Sequence, residues 1–340
     1  MVKLWNILKY KYYRLRWKYP DLFPMCYPIH VDIEITSYCN AKCGFCPHSD
    51  DKVEFKKDYM GLINFRKIID QIAGKVPSIK LNLRGEPTIH GDIIPMLDYV
   101  KGKFVDVRIN TNAILTKPEV IKKIVEVCDN ISVSVNAYNA ESFSRSFGID
   151  TRDAWRKQEH NINIIRDEMF FKNMFIKKQP TQLTLSFVDD GTHGNQMREY
   201  AEDYTESLNK NERIFYRKAT DRTGTGDTKR KRKNCMMPMR RLSIAVNGDV
   251  YPCCVMWHKP FIVLGNIFKG ETIKKIWWSK KTQELRFMLE KISQLTHSNS
   301  DGEYDKTISI AYRTTGNRIV EKSKKLYKAC INCGSEESYV

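Results

Sequence analysis

The chain has 340 residues, 41% hydrophobic and 29% charged, enough to bury one large core, or one core and a smaller module. This balance fits a soluble globular protein, and no window approaches 18 uncharged apolar residues, which excludes a membrane-spanning helix. The formal net charge of +17 admits an acidic small molecule, a nucleic acid or a membrane surface as partner; no nucleic-acid motif accompanies it, so a solvated lysine-rich surface is the preferred reading.

Residues 1–28 open the chain with a basic, aromatic stretch that has no continuous apolar core of the signal-peptide kind. Residues 1–24 read as an amphipathic helix with Leu4, Trp5, Leu8, Tyr12 and Leu15 on one stripe, closed by Pro20 and Pro24. The stripe is expected to pack on the protein's own surface, although a basic interfacial helix has the same signature. Ten cysteines in an intracellular chain point to metal or catalytic thiols more than to disulfides, and a cytoplasmic setting is expected.

The alternating run VDIEIT reads as a first strand and leads into CNAKCGFC, which sets Cys39, Cys43 and Cys46 at spacings x3 and x2. Three thiolates on one tight loop can hold three irons of a cubane cluster and leave the fourth iron open. Zinc with His48 as fourth ligand fits the same residues, as does a loop without thiol chemistry. Spacing alone leaves these open.

Helices are expected at Asn64–Ala73, Asp92–Val100, Lys117–Val127, Ala154–Met169 and Asn195–Leu208. Strands are expected at Ile79–Leu83, Asp106–Asn110, Ile131–Val135, Gln182–Phe187 and Arg213–Arg217. Six rounds of alternation mean parallel β/α units, an α/β class, curled by right-handed crossovers into a barrel or partial barrel over residues 29–217. Ligands would then sit at the C-terminal ends of the strands. Those ends carry Gly85-Glu86-Pro87, Asn110-Thr111-Asn112-Ala113 and Ser132-Val133-Ser134-Val135-Asn136-Ala137. A linker at 218–234 contains the run Lys229–Lys233, a solvent-facing charge run or a phosphate contact.

In 235–340, Cys235 is followed by twelve residues, Gly248, four residues and Cys253. Asn247-Gly248 between Leu242–Val246 and Val250–Tyr251 signals a hairpin. Leu264-Gly265-Asn266, a helix over Ile273–Trp278, a segment Gln283–Leu289 and a closing Cys330-x2-Cys333 follow. Cys253 and Cys254 alternate faces on a strand end, so only one should face a ligand set; Cys128 reads as a packed core thiol and Cys26 has no partner spacing. Four cysteines in two pairs also describe a zinc ribbon.

Taken together, Cx3CxxC with Phe45 before its last cysteine, at the end of a first strand, resembles the radical SAM enzymes, and the C-terminal layout resembles their SPASM/twitch extension. The resemblance implies a partial (β/α)6 barrel followed by a small hairpin-plus-helix domain. It implies a 4Fe-4S cluster on Cys39, Cys43 and Cys46 whose open iron chelates S-adenosylmethionine, and reductive cleavage to a 5′-deoxyadenosyl radical that abstracts hydrogen from the substrate. It assigns SAM contacts to Phe45, Gly85, Glu86, Asn110, Asn112 and Ser134, and loosely to Arg145. Ala113 stands where the family has glycine, and Asn136 where many relatives have aspartate. The family spacing selects Cys253, so that Cys235, Cys253, Cys330 and Cys333 would hold one auxiliary 4Fe-4S cluster, as in one-cluster twitch dehydrogenases. Oxidation of a sugar or alcohol is the first expectation, with a flavodoxin- or ferredoxin-like electron donor. Peptide modification is the alternative, followed by RNA modification and by a zinc-stabilised ligand-binding protein. No motif names the catalytic base; Arg84, Asp189, His193 and Tyr216 lie near strand ends.

Overall fold

The computed structural model describes residues 26–49, 55–149, 152–175, 180–191, 195–205, 207–218, 237–255 and 262–296, with a few residues between Leu8 and Tyr19. The expectations for Cys235, Cys330, Cys333, His193, Lys229–Lys233 and the segment beyond 296 lie outside the described residues.

Strand–helix alternation appears where the sequence placed it. The strands are β1 (His30–Ile33), β2 (Ser78–Lys80), β3 (Asp106–Thr111), β4 (Asn130–Ser134), β5 (Gln182–Asp189) and β6 (Glu212–Lys218). The helices between them are α1 (Leu62–Ile72), α2 (Ile93–Val100), α3 (Pro118–Val127), α4 (Ala140–Phe147), α5 (Arg152–Phe175) and α6 (Gln196–Thr205). A short α7 (Met237–Arg240) then leads into β7 (Arg241–Ile244), β8 (Asp249–Tyr251), β9 (Gly265–Asn266), α8 (Ile273–Trp277) and α9 (Lys280–Thr296). Among the described residues nine strands form one sheet in the order β6-β5-β4-β3-β2-β1-β7-β8-β9, parallel from β6 through β7 and antiparallel at β8 and β9. The fold is an open α/β barrel. Its parallel sheet continues past β1 into β7, so the C-terminal hairpin extends the barrel wall.

Alternation decides which side of each strand meets what. Val31, Ile33, Ile79, Val107, Ile109, Ile131, Val133, Leu183 and Leu185 are buried and share one core with the apolar stripes of the helices, such as Phe65, Ile68, Ile69 and Ile72 of α1. Each such side chain contributes roughly 1.5–3 kcal/mol of burial. The opposite positions, among them Asp32, Lys80, Arg108, Asn110, Ser132 and Thr184, are polar.

Two local features differ from the sequence expectation. Helix α4 went unpredicted although its signals are present: a capping box of Asn139 with Ser142, and Gly148 at φ 61° as C-cap. The N-terminal stripe was expected to pack on the protein, but Leu8, Tyr12 and Leu15 are exposed; Leu4 and Trp5 lie outside the described residues. In the hairpin, Gly248 N–H donates to Ala245 O (2.9 Å) and Gly248 takes φ 84°. A Cβ there would lie 2.6 Å from the Phe268 ring, so glycine is required twice over. Asn266 of the Leu-Gly-Asn segment accepts from Phe268 N and Lys269 N and donates to Asn247 O and Asp249 Oδ1, tying the hairpin to the short 3-10 turn Ile267–Lys269.

Candidate active site

Beyond β1 the chain turns into the cysteine loop, and Cys39, Cys43 and Cys46 all line one cavity of about 530 Å³. Cys46 N–H donates to Cys43 O (3.0 Å) and Ser49 N–H to Cys46 O (2.9 Å), which winds the loop tightly. Helix α4 braces it from outside. Lys42 N–H donates to Phe147 O (2.7 Å), and a Cβ on Gly148 would lie 2.8 Å from Lys42 O. Cys39 and Cys43 pack against Ala41, Ile114, Phe143 and Phe147.

Three thiols on one loop are a donor set that suits an iron–sulfur cluster. His48 Nε2 bonds Ser37 O at 2.7 Å and its ring lies against Phe55. Among the described residues no three Cys, His, Asp or Glu side chains gather closely enough around one point to hold one ion. Burial pushes the Cys39 thiol up to about 11 and Cys43 higher still, so both stay protonated at neutral pH unless bound cations displace the protons.

The turn after β2 is pressed against this loop. Gly85 adopts φ 52°, and a Cβ on it would lie 2.3 Å from Thr36 O and 2.7 Å from Tyr38 O. Glu86 N–H donates to Tyr38 O at 2.8 Å, joining the two turns. The Glu86 carboxylate is buried and organises its neighbours. Oε1 accepts from Thr88 N (3.1 Å), Thr88 Oγ1 (2.8 Å) and Thr111 Oγ1 (2.7 Å), and Oε2 accepts from Asn112 N (2.6 Å). Burial raises its pKa, and these four donors oppose the rise.

At the end of β3, Ala113 takes φ 55°, the left-handed shape a glycine would adopt, so the turn keeps its form despite the substitution. Two amides on α5 hold it there. Asn161 Nδ2 donates to Ala113 O (2.7 Å), and Gln158 Nε2 donates to Asn112 O (2.7 Å) and Ser134 O (2.9 Å). Asn112 Nδ2 also reaches Asn40 Oδ1 in the cysteine loop (2.8 Å). Asn136, at φ 48°, accepts from Val188 N with its side chain.

Below this rim the inner wall is polar and charged. Asp32 bonds Lys80 Nζ (3.1 Å), His30 Nε2 (3.2 Å) and Ser243 Oγ (2.8 Å), with Arg241 Nη1 at 3.5 Å. His30 Nδ1 meets Ser78 Oγ (2.7 Å), which donates to Asp106 Oδ2 (2.9 Å). Asp106 in turn accepts from Arg108 Nε (2.6 Å) and Asn130 Nδ2 (2.6 Å). One network therefore crosses β7, β1, β2, β3 and β4. Higher up, Glu34 pairs with Arg84 through both carboxylate oxygens and accepts from Val246 N (2.9 Å), linking β1 to the hairpin.

Of the residues the sequence singled out, Cys39, Cys43, Phe45, Cys46, Gly85, Glu86, Asn110, Asn112 and Ser134 line the cavity together. Arg145 does not join them: it lies on α4, half exposed, paired with Glu141 at 3.1 Å. Cys253 is buried, whereas Cys254 lines the cavity with Arg241 Nη1 3.6 Å from its sulfur. Cys128 is fully buried in the core. Tyr216 donates to Asp189 Oδ2 (2.8 Å), and neither lines the cavity; Arg84 does, held by Glu34. Sequence reasoning missed Gln158 and Asn161, which sit on a helix expected at Ala154–Met169 only as one element of the alternation, and the cations of the inner wall.

Residues 33–176 match the radical SAM superfamily and residues 235–334 match SPASM, an iron–sulfur cluster-binding domain. The chain is 30% identical over 126 residues to a probable GTP 3′,8-cyclase of Saccharolobus islandicus (strain Y.N.15.51 / Yellowstone #2), covering 36% of this chain and 39% of the cyclase. The match thus spans about two fifths of the length of the curated cyclases. It is 26% identical over 271 residues to the antilisterial bacteriocin subtilosin biosynthesis protein AlbA of Bacillus subtilis (strain 168), covering 72% of this chain and 58% of AlbA. Among solved structures, native anSMEcpe with bound AdoMet superposes with TM-score 0.58 at 15% identity, over 77% of this chain and 84% of that one, which shows a shared fold.

Proposed function

The chain belongs to the radical SAM superfamily and carries a C-terminal SPASM domain, and from that premise we propose that it oxidises a hydroxyl-bearing small molecule, a sugar or alcohol. The two domains imply a SAM-binding 4Fe-4S cluster, S-adenosylmethionine and auxiliary iron–sulfur clustering. When bound, these groups would supply radical chemistry that abstracts a hydrogen atom from the substrate.

The chain's own residues would divide the work. Cys39, Cys43 and Cys46 would ligate three irons. Glu86 Oε2 accepts one internal hydrogen bond and has capacity for a second, which suits a cofactor ammonium group. Gly85 keeps the strand-two turn tight against the cysteine loop, and Asn110, Asn112 and Ser134 border the same mouth beside Phe45. Cys235, Cys253, Cys330 and Cys333 would hold the auxiliary cluster. A flavodoxin- or ferredoxin-like protein would supply electrons.

One observation carries the small-molecule reading. The cavity below the rim is walled by amides and hydroxyls, including Asn82, Asn110, Asn130, Ser132, Thr184 and Ser186, donors and acceptors suited to a polyhydroxylated ligand. Peptide modification is the second reading, favoured by the match to AlbA, which covers 72% of this chain and whose name is that of a bacteriocin biosynthesis protein.

Anaerobic reconstitution followed by a screen of sugars, alcohols and peptides for 5′-deoxyadenosine formation tests both. A sugar or alcohol that accelerates deoxyadenosine release and loses two hydrogens supports the first reading; acceleration by peptides alone removes it. Replacing Cys39, Cys43 and Cys46 together with alanine should abolish deoxyadenosine formation and lower the iron content by about four per chain. Unchanged cleavage in that variant would refute the cluster assignment.

A further inference from the structure

Two strand-end turns at the mouth hold a backbone shape that residues other than glycine rarely take. Among the described residues the non-glycine residues with positive φ are Ala113, at 55°, and Asn136, at 48°. They follow the adjacent parallel strands β3 and β4, on the rim where Asn112 and Ser134 line the cavity. The left-handed shape is disfavoured for an alanine by a factor of roughly five to thirty, so it persists only where its surroundings fix it. Asn136 is fixed through its own side chain, which accepts from Val188 N at 2.9 Å. Ala113 has no polar side chain and depends on its neighbours.

Those neighbours come from α5. Gln158 and Asn161 stand three residues apart, on one face of the helix, and both are buried. Gln158 Nε2 donates to Asn112 O (2.7 Å), the carbonyl of the peptide group before the Ala113 Cα. Asn161 Nδ2 donates to Ala113 O (2.7 Å), the carbonyl of the peptide group after it. Both acceptors are carbonyls, so the NH2 groups and not the amide oxygens must face them. A residue's φ and ψ relate its two flanking peptide planes, so pinning both planes sets both angles. Gln158 Nε2 also donates to Ser134 O (2.9 Å), which ties the end of β4 to the same helix. The held turn reaches the rest of the mouth. Asn112 N donates to Glu86 Oε2 (2.6 Å) and Asn112 Nδ2 to Asn40 Oδ1 in the cysteine loop (2.8 Å). Ala113 N donates to Thr111 Oγ1 (2.9 Å), whose hydroxyl serves Glu86 Oε1.

We propose that Gln158 and Asn161 are positioning residues for S-adenosylmethionine: from α5 they hold the Asn112–Ala113 turn and Ser134 in the shape that receives the cofactor, and so let an alanine stand in a left-handed turn. Neither lines the cavity, so they act through the backbone of residues that do. The inference rests on the cofactor placement proposed above, beside Glu86, Asn112 and Ser134. With a tie cut, Ala113 relaxes towards right-handed or extended shapes, and only the fraction still left-handed is ready to bind. Apparent affinity falls by that fraction. A glycine takes the left-handed shape about as readily as the right-handed one, so at this position it would not need the ties.

Binding of S-adenosylmethionine to the anaerobically reconstituted full chain, read by calorimetry, tests this without turnover. Asn161→Leu keeps the side-chain size and removes the donor; it should weaken binding about tenfold with iron content unchanged. Adding Ala113→Gly to Asn161→Leu should bring affinity back to within about threefold of wild type. Gln158→Met, also close in size, should weaken binding about tenfold and keeps the test open if Asn161→Leu folds poorly. Urea unfolding is recorded beside each variant. A merely structural pair would lower the unfolding midpoint, leave affinity unchanged and gain nothing from Ala113→Gly. Affinity equal to wild type in the folded variants, or a tenfold loss in Asn161→Leu that Ala113→Gly does not recover, would each overturn the proposal. Glu86→Gln separates this inference from the cofactor placement beneath it. If Glu86→Gln weakens binding and the α5 variants do not, the placement stands and this inference alone fails. If none of these variants changes affinity, the cofactor lies elsewhere and both fail.

Discussion

The two sides of the barrel cavity are built on opposite principles. The cysteine-loop side, from β1 to β4, is made of tight turns fixed by short hydrogen bonds: Glu86 to Thr111 and Asn112, Gln158 to two carbonyls, Gly85 against Thr36. The β6 side presents long, jointed side chains, among them Arg213, whose Nε donates to Thr184 Oγ1 at 2.8 Å, and Arg217. A side that receives the same cofactor in every turnover needs fixed backbone shapes, whereas a side that meets a substrate needs chemistry at the ends of side chains. The difference also separates what substitutions should do: changes on the first side should damage architecture, and changes on the second should alter ligand preference.

The largest effect on the first side should come from Gly85→Ala. The left-handed backbone at φ 52° costs an alanine about 1–2 kcal/mol, and the overlap with Thr36 O adds about 1–3 kcal/mol more. Unfolding by urea should show a loss of about 3 kcal/mol, with reduced iron after reconstitution. A variant as stable as wild type would mean that the two turns are not pressed together.

Glu86→Gln comes next. The amide has one oxygen, which can accept either from Thr88 and Thr111 or from Asn112 N–H, and its NH2 group is set against the donors on the other side. It also removes the charge available to a cofactor ammonium group. SAM affinity should fall by about tenfold to a hundredfold, corresponding to about 1.5–3 kcal/mol. Anaerobic calorimetry giving equal affinities would exclude Glu86 from the cofactor site.

How much of this was legible in the sequence follows the same division. The Cys39–Cys46 spacing, Gly85-Glu86 and the Asn110–Ala113 turn could be found because a fixed backbone shape demands particular residues at particular offsets. Gln158 and Asn161 could not, since an amide that reaches across to another strand's carbonyl leaves no local signature. Helix α4 was legible in principle through Asn139, Ser142 and Gly148, but its polar composition hid it. The pairing of β7 with β1 joins positions more than two hundred residues apart, and no periodicity within either strand encodes that neighbour. The cations of β6 were visible only as an alternating strand.

The floor joins the two sides, and its hidden charge state gives a pH test. Burial chiefly holds His30 near 4, against 6.5 for an ordinary imidazole, while its bond to Asp32 opposes the shift. The unfolded chain therefore takes up this proton first as pH falls. Stability tied to neutral His30 is complete above about pH 6.5 and is lost as pH falls towards 4. From pH 7.5 to 5.5 the wild type should lose about 1 kcal/mol more than His30→Asn, measured by urea unfolding of both at each pH. Parallel losses would show that His30 does not carry the dependence.

The smallest effect should be at Arg145, which a carboxylate-binding role would make large. Phe143 and Phe147 are four residues apart on α4 and both are buried towards the cysteine loop, with Phe147 on the cavity wall. Arg145 stands midway between them, about 200° around the helix from each, and so points to the opposite face. There it meets Glu141 in an exposed i,i+4 pair and sits in the last helical turn, where a cation is favourable. Pairs of this kind contribute about 0.3–0.5 kcal/mol. Arg145→Ala should therefore shift stability by no more than about 0.5 kcal/mol and leave SAM affinity unchanged. A tenfold loss of SAM affinity in calorimetry would require α4 to rotate and bring Arg145 to the cofactor, at the expense of the Phe143–Phe147 packing that braces the cysteine loop.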